Sequence, residues 1–579
     1  MKTLGINAAF HDSSACLVED GVVVAAAEEE RFTQIKHGKR PVPFSAWELP
    51  YHAIDYCLAE AGVDIDAIDH VAYSFDPALL VNGHGLPAQI ELPLEPSAIR
   101  VASGTAPWDP LFLSYIVNAP RQLAGGTPHH LQARLRSRRA KPRWQWHFVS
   151  HHLAHQASAF LASPFDQCAV LTLDGRGENA STQYGVFRGG RYAVLDEVRL
   201  PHSLGLFYED VTRHLGFLHS SDEYKVMALA SFGTPRFEDE MRRHVRHVRE
   251  GRYVVDAPPL ARFCDPRKRG EPFLPIHADV AYAAQRALEE TVLAMVRWLR
   301  DVTRMRYVAM AGGVALNCVM NAFIRDAGVF DDIWVQPAAG DAGTALGAAL
   351  WIDRERRKGG AGERAYRMDH VHLGPGYSDA EIEMALQHAH ARYEKPANLP
   401  EAIASHLDRD RIVGWFQGRM EFGPRALGAR SILASPLHHD MQSRLNELKD
   451  REDFRPVAPA VLEETASQWF EGCTRSPFML FVHRVPANRR AQIPAACHTD
   501  GTARVQTVSR EANPAYHALI EAFGRRSGVP VVINTSFNTR GKPIVCTPRD
   551  ALECFFASPI DVLAIGPYVI EKSLEKQVP

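Results

Sequence analysis

The chain is 579 residues long, 46% hydrophobic and 23% charged, with a formal net charge of −3. A single core stops growing at about 250–300 residues, so two or three domains are expected and a one-domain protein is excluded. The charge gives no bulk attraction to nucleic acid or an acidic membrane, and no apolar run reaches the ~20 residues that cross a bilayer, so neither is expected as a partner.

In chain order, Leu4–Asn7 reads as a strand, His11–Ser14 as a polar turn and Ala15–Val18 as a second strand. Glu19-Asp20-Gly21 is a hairpin signal leading into a strand over Val22–Ala27. Residues 82–143 are rich in Pro and Gly and read as an irregular insertion near the active face. Its basic run, from Arg134 to Arg143, reads as a solvated face rather than a nucleic-acid arm. Ser150 is then a good N-cap for a helix that carries His151 and His155 one turn apart on one face. His152 lies about 100° round that helix and faces elsewhere.

Three further segments pair an apolar run or small residues with a Gly-rich turn. Ala169–Leu173 ends in Asp174-Gly175, Tyr307–Ala311 ends in Gly312-Gly313, and Asp341 sits in Ala338–Gly343. Strand, Gly-rich turn and helix is how α/β proteins aim backbone N–H groups at a phosphate. An amphipathic helix is expected over 280–300. The charged, Gly-containing segment Arg354–Arg367 is expected to be the interdomain linker. Beyond it, Ile412–Phe416 and Pro530–Asn534 read as buried strands of a second α/β domain. Nine scattered cysteines without CxxC spacing speak against a disulfide framework, and the first residues lack a secretory apolar region; a cytoplasmic location is expected.

Two constellations carry chemistry. Two imidazoles at i and i+4 can share one metal, with Asp174 and Asp341 as candidates for the further ligands. Nitrogen with carboxylate oxygen suits Fe(II), Zn or Mn better than Mg or Ca. The plain alternative is a histidine pair that only packs or caps its helix. In the second domain, Arg419, Arg425 and Arg430 stand among Gly418, Gly423 and Gly428, followed by Lys449, Arg451, Arg455 and Arg504. Asn534, Ser536 and Asn538 come later, with Arg540 and Lys542. Guanidinium forks beside glycine, where a ligand can approach backbone, suit a triphosphate plus a small anion. Surface salt bridging is the alternative for any one of these arginines. No GxxxxGK[ST] loop, no GxGxxG with a following acid, no GxSxG and no HExxH is present.

Long strings narrow the reading further: FHDSSACLVEDG, AAEEERFTQIKHG, HHLAHQASAF, SDEYKVMALASFG, AGGVALNCVMN, QPAAGDAGTALGAAL, GRMEFGPRALGARSI and NTSFNTRGKPIVCTP. By these the chain resembles the O-carbamoyltransferases of the nodulation and antibiotic-biosynthesis type, over nearly its whole length. The resemblance implies an α/β protein. Residues 1–358 would form an actin/Hsp70-like duplicated domain of the threonylcarbamoyltransferase kind, and residues 371–579 an adenylate-forming domain.

It implies that carbamoyl phosphate and ATP are co-substrates, with Mg as a candidate companion of ATP. Carbamoyl-adenylate would be made in the second domain and its carbamoyl group passed to a small-molecule hydroxyl in the first. His151, His155, Asp174 and Asp341 would be the metal ligands, with iron or another divalent ion. Gly312, Gly313 and Asn317 would approach the adenylate. Arg419, Arg425, Arg430, Lys449, Arg455, Arg504, Asn534 and Ser536 would contact carbamoyl phosphate and ATP. A homodimer is compatible with it.

The hydroxyl nucleophile also needs a base. His11 is the candidate, with Asp12 as its orienting partner, and packing of the turn is the alternative. Lys225 would touch phosphate or serve a structural salt bridge. Phe75, Asp76, Trp108 and Trp144 are candidates to line the acceptor pocket. The runner-up is a tRNA threonylcarbamoyl-type transferase; a scaffold that lost its chemistry and a sugar kinase stand behind it.

Overall fold

A computed structural model of the chain describes residues 1–8, 11–38, 50–84, 143–357 and 365–572, with one pair of two-residue strands at 123–124 and 127–128. The basic run up to Lys141, Trp108 and nearly all of the expected insertion lie outside these residues. The chain divides into two compact units, Met1–Met368 and Asp369–Pro579.

The first unit holds two five-stranded sheets. One is made of β1 (Lys2–Asn7), β2 (Ser14–Glu19), β3 (Val22–Glu28), β4 (His70–Tyr73) and β5 (Gln145–Phe148), in the order β3-β2-β1-β4-β5. The other is made of β6 (Cys168–Leu173), β7 (Ala180–Arg188), β8 (Arg191–Arg199), β9 (Tyr307–Ala311) and β10 (Asp332–Val335), in the order β8-β7-β6-β9-β10. In each, the first strand runs antiparallel to the second and parallel to the fourth. The same winding occurs twice, which is a duplicated, actin/Hsp70-like architecture. All six residues of β6 are buried, as expected of a central strand covered on both faces.

Helices lock these sheets together. α1 (His151–Phe160) and α2 (Pro275–Thr303) cover the regions where helices are expected, and α2 opens with proline, whose missing N–H costs nothing at a helix start. α3 (Cys318–Asp326) follows β9, and α4 (Ala342–Arg356) packs on both β1 and α1. Small residues allow that packing. A Cβ on Gly5 would lie 2.0 Å from the Ala345 carbonyl oxygen, and one on Gly347 would lie 1.8 Å from the Ala154 carbonyl oxygen. The backbones therefore touch, and α4 has no freedom to slide along α1.

The charged segment beginning at Arg354 is not a linker from its start. Arg354–Arg356 form the last turn of α4, and the Arg354 guanidinium lies 5.5 Å from the Phe187 ring and 5.9 Å from the Trp351 ring. Stacking on aromatic faces gives an arginine a packing role that charge alone does not reveal.

The second unit is built on a seven-stranded sheet. Its strands are β11 (Val413–Phe416), β12 (Arg430–Ala434), β13 (Ala458–Leu462), β14 (Gln506–Val508), β15 (Val531–Ser536), β16 (Val562–Ile565) and β17 (Tyr568–Glu571), in the order β14-β13-β15-β12-β11-β16-β17. Alternate residues feed two cores. Phe416, Ile432, Val461 and Ile533 enter one, while Trp415, Leu433, Ala460 and Val532 enter the other. Burial on both faces explains why these strands read as unbroken apolar runs.

Candidate metal centre and anion site

Ser150 occupies the N-cap position of α1, but its side chain makes no capping bond. That function falls to Glu178, 28 residues on, whose Oε1 accepts from the His151 backbone N–H at 2.8 Å and from the Asp76 backbone N–H at 2.8 Å. The helix start is thereby tied to the strand ends of both halves of the first unit. A carboxylate here also suits the positive end of the helix.

One turn of α1 separates His151 from His155, Asp174 follows β6 directly, and Asp341 stands immediately before α4. Their donor atoms lie within 4.8 Å of one another and all four residues are buried. His151 Nε2 is 3.1 Å from His155 Nε2, 3.2 Å from Asp174 Oδ2 and 3.6 Å from Asp341 Oδ1. His155 Nε2 is 3.8 Å from Asp174 Oδ2 and 3.5 Å from Asp341 Oδ1. Ligands about 2.1 Å from a common ion stand about 3.0–3.4 Å apart, so this spacing fits a metal's coordination sphere with little adjustment. Two imidazole nitrogens facing each other also require a cation or a shared proton between them.

Burial opposes charge on His151, but Asp341, Asp174 and Glu178 together outweigh it and lift the ring to about 9. Asp174 moves the other way: burial works against its charge, and His151 and His155 more than compensate, holding it below the usual carboxylate range. His152 points elsewhere, toward Gly177, where an added Cβ would lie 2.4 Å from its Nδ1. Burial and the neighbouring His151 keep it neutral, at about 3.

The Gly-rich turn after β9 closes on this centre. The Gly313 N–H donates to Asp174 Oδ1 at 2.9 Å. Gly312 has φ 95°, and a Cβ there would meet the Leu173 carbonyl oxygen at 2.1 Å, so only glycine fits. Asn317, expected to approach the adenylate, is engaged within the protein. Its Oδ1 caps α3 through the Met320 N–H at 3.0 Å, and its amide pairs with Gln285 at 2.9 and 3.1 Å. Both ends of the side chain are engaged, so it shapes the turn. Phe75 and Trp144 are buried in the core of the first sheet, and the Phe75 ring stands edge-on to His151 at 6.4 Å.

His11 is also bound differently from a free base. Its Nδ1 is 2.8 Å from Asp12 Oδ2 and its Nε2 is 2.8 Å from the Ser220 carbonyl oxygen. Both partners only accept hydrogen bonds, so the ring carries a proton on each nitrogen and has no lone pair to offer in this arrangement. His37, given no role in the sequence reading, takes the other Asp12 oxygen, Oδ1, at 2.8 Å through Nδ1. Lys225 pairs with Asp222 at 3.1 Å and lies over the Phe217 ring.

In the second unit the Gly418–Arg430 loop is held from within by Glu421, which has no part in the sequence reading, and by Arg430. Glu421 is buried, and its Oε1 accepts from the backbone N–H groups of Leu427 at 2.8 Å, Ala429 at 2.7 Å and Arg430 at 3.1 Å. Arg430 is fully buried over the Phe416 ring at 3.6 Å and donates to the carbonyls of Gln417, Gly418, Ala429 and Pro375. Expected to contact carbamoyl phosphate and ATP, this guanidinium fixes the loop from inside.

Arg419 is partly committed as well, to the Gly374 and Leu373 carbonyls at 3.2 and 2.7 Å. Lys449 and Ser536 are brought together: Lys449 Nζ donates to Ser536 O at 2.5 Å, Ser536 Oγ at 2.9 Å and Asn538 Oδ1 at 2.5 Å. The buried Asn534 amide donates instead to Ala426 O at 3.2 Å and Gln506 Oε1 at 2.7 Å. Arg425, Arg455 and Arg504 are half-buried, Arg455 beside Glu452 at 3.5 Å. Among the described residues no helix is long and apolar enough to cross a membrane.

Two family models match the chain. The one described as carbamoyltransferase N-terminus covers residues 2–81 and 127–350, and the one described as carbamoyltransferase C-terminus covers residues 404–572. The chain is 38% identical to the protein sll1178 of Synechocystis sp., over 99% of this chain and 97% of that one. It is also 38% identical to nodulation protein NolNO of Sinorhizobium fredii, over 98% of this chain and 80% of that one. With nodulation protein NolO of Bradyrhizobium diazoefficiens the identity is 41%, over 73% of this chain and 79% of that one.

Proposed function

We propose, from the premise that this chain belongs to the carbamoyltransferase family, that it carbamoylates a small-molecule hydroxyl by way of a carbamoyl-adenylate. As a member of that family it is a transferase enzyme. The observation that carries the finer reading is the buried set His151, His155, Asp174 and Asp341 beside the Gly312-Gly313 turn, in a different unit from the arginine-rich loop.

In the second unit, water would cleave carbamoyl phosphate to carbamate and phosphate. Carbamate oxygen would then attack the α-phosphorus of ATP, and pyrophosphate would leave. Lys449, Arg425, Arg455 and Arg504 supply positive charge for these anions, while Glu421 and Arg430 keep the loop in shape. In the first unit, the acceptor oxygen would bond to the carbamoyl carbon, the bond from that carbon to the adenylate oxygen would break, and AMP would leave. His151, His155, Asp174 and Asp341, whose nitrogen and carboxylate donors suit Fe(II), would hold a divalent ion that would supply Lewis-acid stabilisation of charge on the carbonyl and phosphate oxygens. The Gly313 N–H holds Asp174 in place.

The test is product analysis by mass spectrometry with ATP, carbamoyl phosphate, Fe(II) and a panel of hydroxylated acceptors. AMP, pyrophosphate and an acceptor heavier by one carbamoyl group are expected. ADP as the nucleotide product would sink the adenylate route and point to phosphoryl transfer.

A further inference from the structure

His11, Asp12 and His37 form a second cluster of metal-type side chains, with atoms within 4.8 Å of one another. Its contacts, however, run in series and close on themselves. Asp12 gives Oδ2 to His11 Nδ1 and Oδ1 to His37 Nδ1, each at 2.8 Å. The far nitrogens meet two consecutive residues of a distant loop: His11 Nε2 faces the Ser220 carbonyl oxygen at 2.8 Å, and His37 Nε2 faces Ser221 Oγ at 2.9 Å. The peptide between Ser220 and Ser221 completes the ring. Asn7 Nδ2 steadies the turn, donating to the His11 and Asp12 carbonyls at 2.7 and 3.0 Å.

Asp12, His37 and Ser220 have φ of 48°, 60° and 55°, a left-handed backbone that L residues seldom adopt. Three such residues at the joints of one ring mark a geometry its surroundings impose.

Proton placement follows from the partners. Ser220 O and Asp12 only accept, so His11 is protonated twice. Ser221 Oγ can donate, so His37 needs only the proton it gives to Asp12, and burial favours that neutral form. The ring therefore stores its extra proton on His11.

We infer that His37 is a positioning residue for His11: by holding the second oxygen of Asp12 and pinning Ser221, it keeps the His11 ring latched on the Ser220 carbonyl until an acceptor hydroxyl replaces that carbonyl. This rests on the hydroxyl-transfer reading above. As the carbonyl withdraws, His11 yields its Nε2 proton to water. The acceptor O–H proton then passes to that nitrogen while the acceptor oxygen bonds to the carbamoyl carbon and the bond from that carbon to AMP breaks. Among the described residues, the charged groups facing the ring are Asp12, Glu30, which accepts from the His37 N–H at 2.6 Å, and Glu223, which accepts from the Ser220 N–H at 2.6 Å. Burial and Glu209 raise Glu223 to about 7.

The full-length, Fe(II)-loaded enzyme tests this with two readouts. One is exchange of pyrophosphate into ATP with carbamoyl phosphate present; the other is carbamoylated product as a function of pH. His37→Leu is expected to lower product formation at least about 50-fold and leave exchange within about twofold. The acidic limb of its pH profile should move to higher pH, because the Asp12 charge then falls on His11 alone and the ring holds its proton more tightly. His37→Asn, which can still donate to Asp12, should recover part of the rate. Product formation at the wild-type level in His37→Leu would overturn the inference, as would a slower rate with an unmoved profile. If His37→Leu loses exchange as well, folding is at fault, and His37→Asn decides by the same two readouts. A wild-type enzyme that exchanges pyrophosphate but modifies no hydroxyl overturns the transfer reading itself, and this inference falls with it.

Discussion

The histidine–aspartate cluster on α1 and the one in the turn after β1 are made of the same side chains, yet they ask for different partners. Around α1, His151 Nε2 and His155 Nε2 face each other at 3.1 Å with two carboxylate oxygens beside them, so the donors converge on a single point. After β1, each nitrogen of His11 and His37 has a separate partner and the contacts pass from one group to the next. Convergence of donors, more than the identity of the residues, distinguishes a place for an ion from a hydrogen-bonded relay.

The sharpest way to break this comparison is to remove one member of each cluster and count metal. His155→Ala or Asp341→Asn should abolish stoichiometric Fe(II) in the isolated protein and lower product formation by about 10³-fold. Asp12→Asn should keep its metal. Equal loss of metal in all three variants, measured by elemental analysis, would erase the distinction.

A smaller effect is expected from pH. Protons and metal compete for His151, whose ring is lifted to about 9, so Fe(II) affinity should rise about tenfold per pH unit between pH 6 and 8. The sign for the metal-free protein is opposite. A histidine whose value in the folded chain lies above its ordinary 6.5 stabilises the fold fully below 6.5, and that contribution is lost as pH rises toward about 9. Metal-free melting temperatures should therefore fall over that window, and a flat profile would show that His151 carries no stored proton.

Gly347→Ala probes how the convergent site is built without touching a ligand. Its Cβ would collide with the Ala154 carbonyl, pushing α4 off α1 and moving Asp341 away from the two histidines. A stability loss of about 2–3 kcal/mol with weakened metal binding is expected, read by denaturation and metal titration. The smallest change is Glu178→Gln, which weakens the α1 cap by about 1 kcal/mol and should leave the ring around His11 intact. If it lowered metal content as far as His155→Ala does, Glu178 would have to be counted with the ligands.

Much of the architecture could be read in the sequence because it is local. The strands β1 to β3 and the 280–300 part of α2 announce themselves by turn chemistry and periodicity. The spacing of His151 and His155 sets both on one helical face. What escaped depends on long-range contact. The α1 cap comes from Glu178 rather than from Ser150, because the loop after β6 folds back over the helix start. An arginine in a Gly-rich loop reads as an anion ligand, and only the tertiary structure shows Arg430 sealed over Phe416 among carbonyls. Glu421, an acid among cationic neighbours, shows its part only where the Leu427, Ala429 and Arg430 N–H groups close on it. His37 needed Asp12 and Ser221, 25 and 184 residues away, before it had a part to play.

The grip of Glu421 on three backbone N–H groups between Leu427 and Arg430 has a consequence for the entropy of binding. The Gly418–Arg430 loop is already wrapped around an anion of its own, so an incoming phosphate finds the backbone set and need not order it. Association with the second unit would then carry little unfavourable loop entropy, and its rate would be governed by encounter and charge rather than by rearrangement.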